Sequence, residues 1–185
     1  MSGNLYTVPI GEMMISHTPG DVLAARGLGS CVAICLYDPI AQIGGMLHAL
    51  LPSANGNGCR GKHTKYVKQG TALLVDALLK QGAKRSRLRA YLCGGARMLP
   101  APAFGDFDIG EHNVQAAETA LQSEGLTIRV QDTGKNTGRT VKLYTATGQV
   151  TVRTLKQGEQ TLKPNTKTQS TRAGGSYAKD FGHRR

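Results

Sequence analysis

The stretch GLGSCVAICLYDPIAQIGGMLHAL, residues 27–50, decides how this chain folds. Gly27-Leu28-Gly29 is a glycine-rich break, and Asp38-Pro39 is a turn signal. Between them Cys31 to Tyr37 is apolar and β-prone, the mark of a strand. Ile43 to Leu50 follows as the returning strand, with Gly44-Gly45 allowing a bulge or a close backbone approach. Asp38 to Gln42 closes the two into an antiparallel hairpin, so the start of one strand lies near the end of the other. Cys31 and His48 can then reach the same edge.

Working outward, Glu12 to His17 reads as a short strand stopped by Pro19-Gly20, and Val22 to Ala25 as a second extended piece. Downstream, Ser53 to Lys62 is a polar, glycine-rich loop. Tyr66 to Gly82 reads as a helix, because Val67, Leu74, Val75 and Leu78 share one face of a 3.6-residue period and Gly82 stops it. Leu88 to Cys93 is a strand leading into Gly94-Gly95-Ala96. A second helix runs from Ile109 to Glu124, with Ala117, Ala120 and Leu121 inward. Strands follow at Leu126–Gln131, Thr140–Thr145 and Val150–Leu155. Helices set between groups of strands predict an α/β or α+β fold with a mixed sheet.

The chain has 185 residues, 5% aromatics and no Trp, so its core must be aliphatic. The formal charge of +11 invites a nucleic-acid reading. Its distribution argues against one. Residues 1–150 carry 15 basic and 10 acidic side chains, while residues 151–185 carry 8 and 2. The surplus sits in a Gln, Thr, Lys, Gly and Ser-rich end with no apolar period and no interleaved stacking aromatics. We therefore expect one domain over residues 1–155 and a basic, disordered tail over 156–185. No apolar run approaches the roughly 18–20 residues that span a bilayer, so no membrane insertion is expected. No signal-peptide pattern is read at the N-terminus. The four cysteines, Cys31, Cys35, Cys59 and Cys93, fit free thiols in a reducing cytoplasm better than a disulfide framework. Zinc is weighed and set aside, since Cys31, Cys35, His48, Cys59 and His63 form no paired knuckle. Gly94-Gly95-Ala96 reads as close packing rather than a phosphate cradle, for no GK[ST] follows.

A thiol just after a glycine-rich turn, at a strand start, is exposed at one end of a sheet. Backbone N–H groups around Gly29 and Ser30 can there converge on a developing oxyanion. An unassisted thiol is only a few per cent thiolate at neutral pH, so an imidazole such as His48 makes it a useful nucleophile. An inert core cysteine is the competing reading, and a lone Cys with a distant His is a weak pattern by spacing alone. Cys35 and Cys93 read as core thiols, and His63 and His112 as ordinary surface histidines.

Six blocks, GLGSCVAICLYDP, GGMLHALLP, KYVKQGTALLVDALLKQGA, CGGARM, IGEHNV and DTGKNTGRTV, occur in order between Gly27 and Val141, within a match that runs from about Gly11 to Arg153. Together they resemble the bacterial chemoreceptor glutamine deamidases, the CheD family. The resemblance implies a layered sandwich of mixed β-sheets with helices packed on one side, related to cysteine-dependent toxin deamidases. It implies hydrolysis of selected glutamine side chains in the cytoplasmic domains of chemotaxis receptors, with no metal and no organic cofactor. The family's nucleophile falls on Cys31 and its histidine on His48. A chemotaxis phosphatase of the CheC type is the further partner it suggests.

One position departs from the family. A threonine six residues before the cysteine orients the histidine there, and Ala25 stands in its place. The role is then open to a backbone carbonyl, a water or another hydroxyl such as Thr18. A catalytically weak regulatory binding partner of a receptor or phosphatase is the alternative to an enzyme. Asn113 and Thr133 lie in the resembling blocks with no chemistry assigned to them.

Overall fold

The computed structural model describes residues 3–54, 61–98 and 108–163. Its strands are β1 (Leu5–Thr7), β2 (Glu12–Ser16), β3 (Val22–Leu28), β4 (Val32–Asp38), β5 (Ile43–Ala49), β6 (Arg89–Gly94), β7 (Ile128–Thr133), β8 (Arg139–Tyr144), β9 (Gln149–Thr154) and β10 (Gly158–Thr161). Two helices, α1 (Val67–Lys80) and α2 (Ile109–Ser123), complete it. The strands form two five-stranded sheets, one in the order β1-β3-β8-β9-β10 and the other β2-β5-β4-β6-β7. Both are mixed: β1 runs parallel to β3 and β6 parallel to β7, and the remaining pairs are antiparallel.

The hairpin read from residues 27–50 is the middle of the second sheet. β4 and β5 pair antiparallel from Val32↔Ala49 to Asp38↔Ile43. Every residue of both strands is buried, because each face of this sheet is covered. On one face Val32, Ile34, Leu36 and Leu47 pack against Leu74, Val75 and Leu78 of α1 and Leu121 of α2. On the other, Ala33, Cys35, Tyr37 and Met46 meet Leu23, Ala25, Val141, Leu143 and Val150 of the first sheet. The period-2 alternation of the strands sorts their side chains between these two cores. Fully burying each Leu, Ile or Val contributes about 1.5–3 kcal/mol.

The α+β sandwich with helices on one side is thus borne out, as are the inward faces of both helices. Gly45 allows the close approach expected of the Gly44-Gly45 pair: a Cβ there would lie 2.8 Å from Leu74 Cδ1 on α1. Asp108 caps α2 through its Oδ1, which accepts the N–H groups of Gly110 at 2.9 Å and Glu111 at 3.2 Å.

Three local expectations change. β1 was not foreseen, since its three residues are all exposed and carry no apolar pattern. The piece expected to end at Ala25 continues to Leu28, through a bulge between Ala25 and Leu28 that absorbs Gly27. The boundary at residue 155 also gives way. β10 pairs with β9 from Gly158↔Thr154 to Thr161↔Thr151, and the Leu162 N–H donates to the Val150 carbonyl at 2.9 Å. Cross-strand polar contacts supply here what apolar periodicity does not. Glu159 accepts from Lys142 Nζ at 2.8 Å and from Thr151 Oγ1 at 2.7 Å, which hold its carboxyl down at about 2. The rest of the expected tail, residues 164–185, lies outside the described residues, as does Cys59.

Candidate active site

Cys31 stands one residue ahead of β4, with its side chain in the core between the two sheets and 6% exposed. His48 lies opposite Ala33 on β5. Ala33 and Cys35 point into the same inter-sheet core as Cys31, and the alternation of β5 sends His48 there with Met46. Cys31 and His48 are therefore diagonal neighbours on one face of an antiparallel pair. Such pairs stand about 7–8 Å apart along the backbone, within reach of long side chains. The edge inferred from the hairpin is the one that forms.

His48 is buried, and its ring is held by the backbone. Nδ1 lies 3.0 Å from the carbonyl oxygen of Val8. A carbonyl can only accept, so Nδ1 carries the hydrogen, and in the neutral ring Nε2 presents its lone pair. Among the described residues Nε2 has no hydrogen-bond partner. The segment bearing Val8 is itself fixed at two points. The Val8 N–H donates to the Ala24 carbonyl at 2.8 Å, and the Gly11 N–H donates to the His48 carbonyl at 2.7 Å.

The group that holds the His48 ring is thus a backbone carbonyl and not a side-chain hydroxyl. Ala25 is fully buried on β3 and offers no side-chain donor. Its neighbour Ala24 holds Val8, and Val8 holds the ring, so a backbone carbonyl takes the role. Thr18 does not. It follows the Ser16 end of β2, and Ser16 pairs with Gly44, four residues along β5 from His48. At about 3.4 Å per residue that is roughly 13 Å away. The Thr18 carbonyl there accepts from Thr145 Oγ1 at 2.7 Å.

The turn before Cys31 is pinned through its carbonyls. Gly29 accepts from the Ala96 N–H at 2.8 Å, and Cys31 from the Gly95 N–H at 2.8 Å. Ser30 accepts from Asn113 Nδ2 at 2.9 Å. Gly94 and Gly95 adopt φ of 112° and 64°, and a Cβ on Gly94 would collide with the Cys31 carbonyl. The glycine pair thus serves close packing, as its sequence suggests. Arg139, 3% exposed, fastens this corner: Nη1 donates to the carbonyls of Gly94 at 2.8 Å and Asp132 at 3.0 Å, and Nη2 to Gly134 at 2.7 Å.

Burial sets the protonation of the pair. It pushes the Cys31 thiol up, against a smaller lowering by the residue's own backbone N–H. It pushes His48 down, against the Val8 carbonyl that favours the charged ring. Both shifts favour a neutral thiol beside a neutral imidazole over a thiolate–imidazolium pair. Cys35 is pushed well up and Cys93 up to about 12 by burial, which leaves them inert core thiols. Among the described residues no cluster of three or more His, Cys, Asp or Glu side chains is placed to hold a metal ion. His63 lies in a short 3-10 turn, and His112 lies on α2 with Nδ1 2.7 Å from the Asp108 carbonyl.

Sequence reasoning missed three parts of this site: the Val8 carbonyl, Asn113 and Arg139. Asn113 and Arg139 are polar residues with nine-tenths or more of their surface buried, inside blocks already singled out.

A family model described as CheD chemotactic sensory transduction matches residues 50–154, more than half of the chain. That match includes Asn113 and Arg139 and begins just after His48. Curated relatives extend the likeness. The "Probable chemoreceptor glutamine deamidase CheD" of Pyrococcus horikoshii is 42% identical over 152 residues, covering 82% of this chain and 93% of its own. The protein of the same name from Symbiobacterium thermophilum is 42% identical over 160 residues, covering 85% and 97%. The "Chemoreceptor glutamine deamidase CheD" of Thermotoga maritima is 39% identical over 153 residues, covering 83% and 94%. A solved structure, the Bacillus licheniformis hypothetical protein YfiH, superposes on 64% of this chain and 56% of its own at 18% identity. Its TM-score of 0.37 is too low to bear on the site.

Proposed function

Because this chain belongs to the CheD family, we propose that it is a chemoreceptor glutamine deamidase, a hydrolase that converts receptor glutamines to glutamates by Cys31–His48 catalysis. The observation that carries the mechanism is the Nδ1 contact of His48 with the Val8 carbonyl, which leaves the Nε2 lone pair on the face that bears Cys31.

The chemistry follows from a neutral pair. As Cys31 Sγ adds to the glutamine carboxamide carbon, its proton passes to His48 Nε2. The carbonyl electron pair moves onto oxygen, giving a tetrahedral oxyanion. Imidazolium Nε2–H then protonates the nitrogen, because an amide ion is far too basic to leave, and ammonia departs from a thioester. Neutral His48 next takes a proton from water. The hydroxide formed adds to the thioester carbon, and Sγ leaves with the proton returned by the imidazolium. The products are glutamate and ammonia.

The substrate is the cytoplasmic domain of a methyl-accepting receptor, and the enzyme acts in the cytoplasm. No helix among the described residues is long and apolar enough to cross a membrane. A chemotaxis phosphatase of the CheC type is a second partner, proposed on the family resemblance. The mildly basic body over residues 1–150 suits electrostatic steering toward acidic receptor helices more than readout of nucleic acid.

The test is mass spectrometry of a receptor cytoplasmic fragment together with ammonia release. Wild-type protein should convert specific glutamines to glutamates, and Cys31→Ala should abolish both signals while keeping the fold. Ammonia release by Cys31→Ala at the wild-type rate would refute the mechanism. Tight receptor binding by a wild type with no turnover would make the protein a regulatory binding partner instead.

A further inference from the structure

Asn113 is fully buried on α2, yet both of its partners belong to the catalytic end of the β4–β5 hairpin. Its Nδ2 donates to the carbonyls of Ser30 and Leu50, each at 2.9 Å. Both partners are acceptors, so the amide can be oriented only with its NH2 toward them. Continuing the strand register one pair past Val32↔Ala49 sets Leu50 opposite Cys31. A single amide thus ties the peptide before Cys31 to the residue across from it.

The Ser30–Cys31 peptide is trans, as are all the described peptide bonds. Its carbonyl points to α2, so the Cys31 N–H points the opposite way, toward the face that carries Cys31 Sγ and the His48 ring.

We propose that Asn113 is a positioning residue for deamidation: by holding the Ser30 carbonyl on the helix side, it aims the Cys31 N–H at the oxyanion. The inference rests on Cys31 being the nucleophile. The step it serves forms the S–C bond and moves the carbonyl π pair onto oxygen, while the thiol proton goes to His48 Nε2. The Cys31 N–H donates to that oxygen until collapse of the intermediate restores the carbonyl and expels ammonia. A donor of this kind helps only if it is fixed before charge develops. Asn113 supplies the fixing without touching the substrate.

Two reactions of the same thiol separate this role from a purely structural one. Deamidation of a receptor cytoplasmic fragment develops an oxyanion. Alkylation of Cys31 by iodoacetamide, followed by peptide mass spectrometry, displaces iodide and develops none. Asn113→Ala should lower kcat about 100-fold, with KM and the alkylation rate within about threefold of wild type. Asn113→Asp nearly preserves shape, turns two donors into acceptors and should lose at least as much kcat. It carries the test if near-UV circular dichroism shows that the alanine variant has not folded. A folded variant with near-wild-type kcat, or a parallel loss of alkylation and deamidation, overturns the positioning role alone. A wild type that releases no ammonia overturns the deamidase reading and this proposal with it.

Discussion

The two ends of the β4–β5 hairpin are built from the same strands and do opposite things. At the turn end Asp38 is a buried carboxylate with every lone pair in use. Its Oδ1 accepts the N–H groups of Ile40 at 2.9 Å and Ala41 at 3.1 Å. Its Oδ2 accepts from the Lys84 N–H at 2.8 Å and from Arg87 Nε and Nη2 at 2.9 and 2.7 Å. Burial alone would raise its pKa, but Arg87 and the three backbone donors outweigh it and hold the carboxyl at about 2. At the open end Cys31 and His48 are buried to a similar degree, yet His48 Nε2 has no partner among the described residues. Burial there favours the uncharged forms. A saturated polar group stabilises a fold; an unsaturated one facing a thiol is available for chemistry.

The contrast can be broken from either end. The largest effect is expected at the open end, where Cys31→Ala should cut deamidation by roughly 10⁴-fold or more, as removal of a nucleophile does. The melting temperature should stay close to that of wild type, because no hydrogen bond of the fold is lost. The turn end should behave conversely. Asp38 titrates near 2 in the fold against 3.8 for the ordinary carboxyl, so its stabilisation is present above about pH 4 and lost as pH falls toward 2. The shift corresponds to about 2 kcal/mol. Asp38→Asn should therefore melt about 5 °C below wild type at neutral pH, with the gap closing between pH 4 and pH 2, and kcat should be unchanged. An Asp38→Asn variant that melts with the wild type at neutral pH would dissolve the distinction between the two ends.

How much of this was legible in the sequence follows the same division. The hairpin could be read because its signals are local: an apolar run, a turn at Asp38-Pro39, a glycine pair and a return. Once it closes, the nearness of Cys31 and His48 is a consequence of register. The helix faces were equally plain, since Leu74 and Leu78 repeat at the helical period. What could not be read are contacts whose partner is a distant backbone carbonyl. The Val8 carbonyl that holds His48 lies 40 residues away and would be there with almost any side chain. Asn113 reaches Ser30 across 83 residues, and Arg139 reaches Gly94 across 45. A polar residue named inside a helix or strand says nothing about which carbonyl it will meet. β1 and β10 were hidden for a different reason. Edge strands expose their side chains, so they carry no alternation to detect.

The smallest effect concerns Ala25. With Val8 already holding Nδ1, a hydroxyl at this site has no vacant task, and Ala25→Thr should change kcat less than about threefold. The site is fully buried, so the added atoms should cost about 1–3 kcal/mol in stability through overpacking. A large gain in turnover would show that the Val8 carbonyl orients the ring poorly.

Catalysis by the Cys31–His48 pair requires that His48 rest neutral, with hydrogen on Nδ1 and a lone pair on Nε2 directed to the thiol side. Nitrogen-15 NMR of the histidine-labelled protein reads this state directly. His48 at pH 7 should be uncharged, protonated on Nδ1, and titrate below the ordinary value of 6.5. An imidazolium at pH 7, or a neutral ring protonated on Nε2, would contradict it.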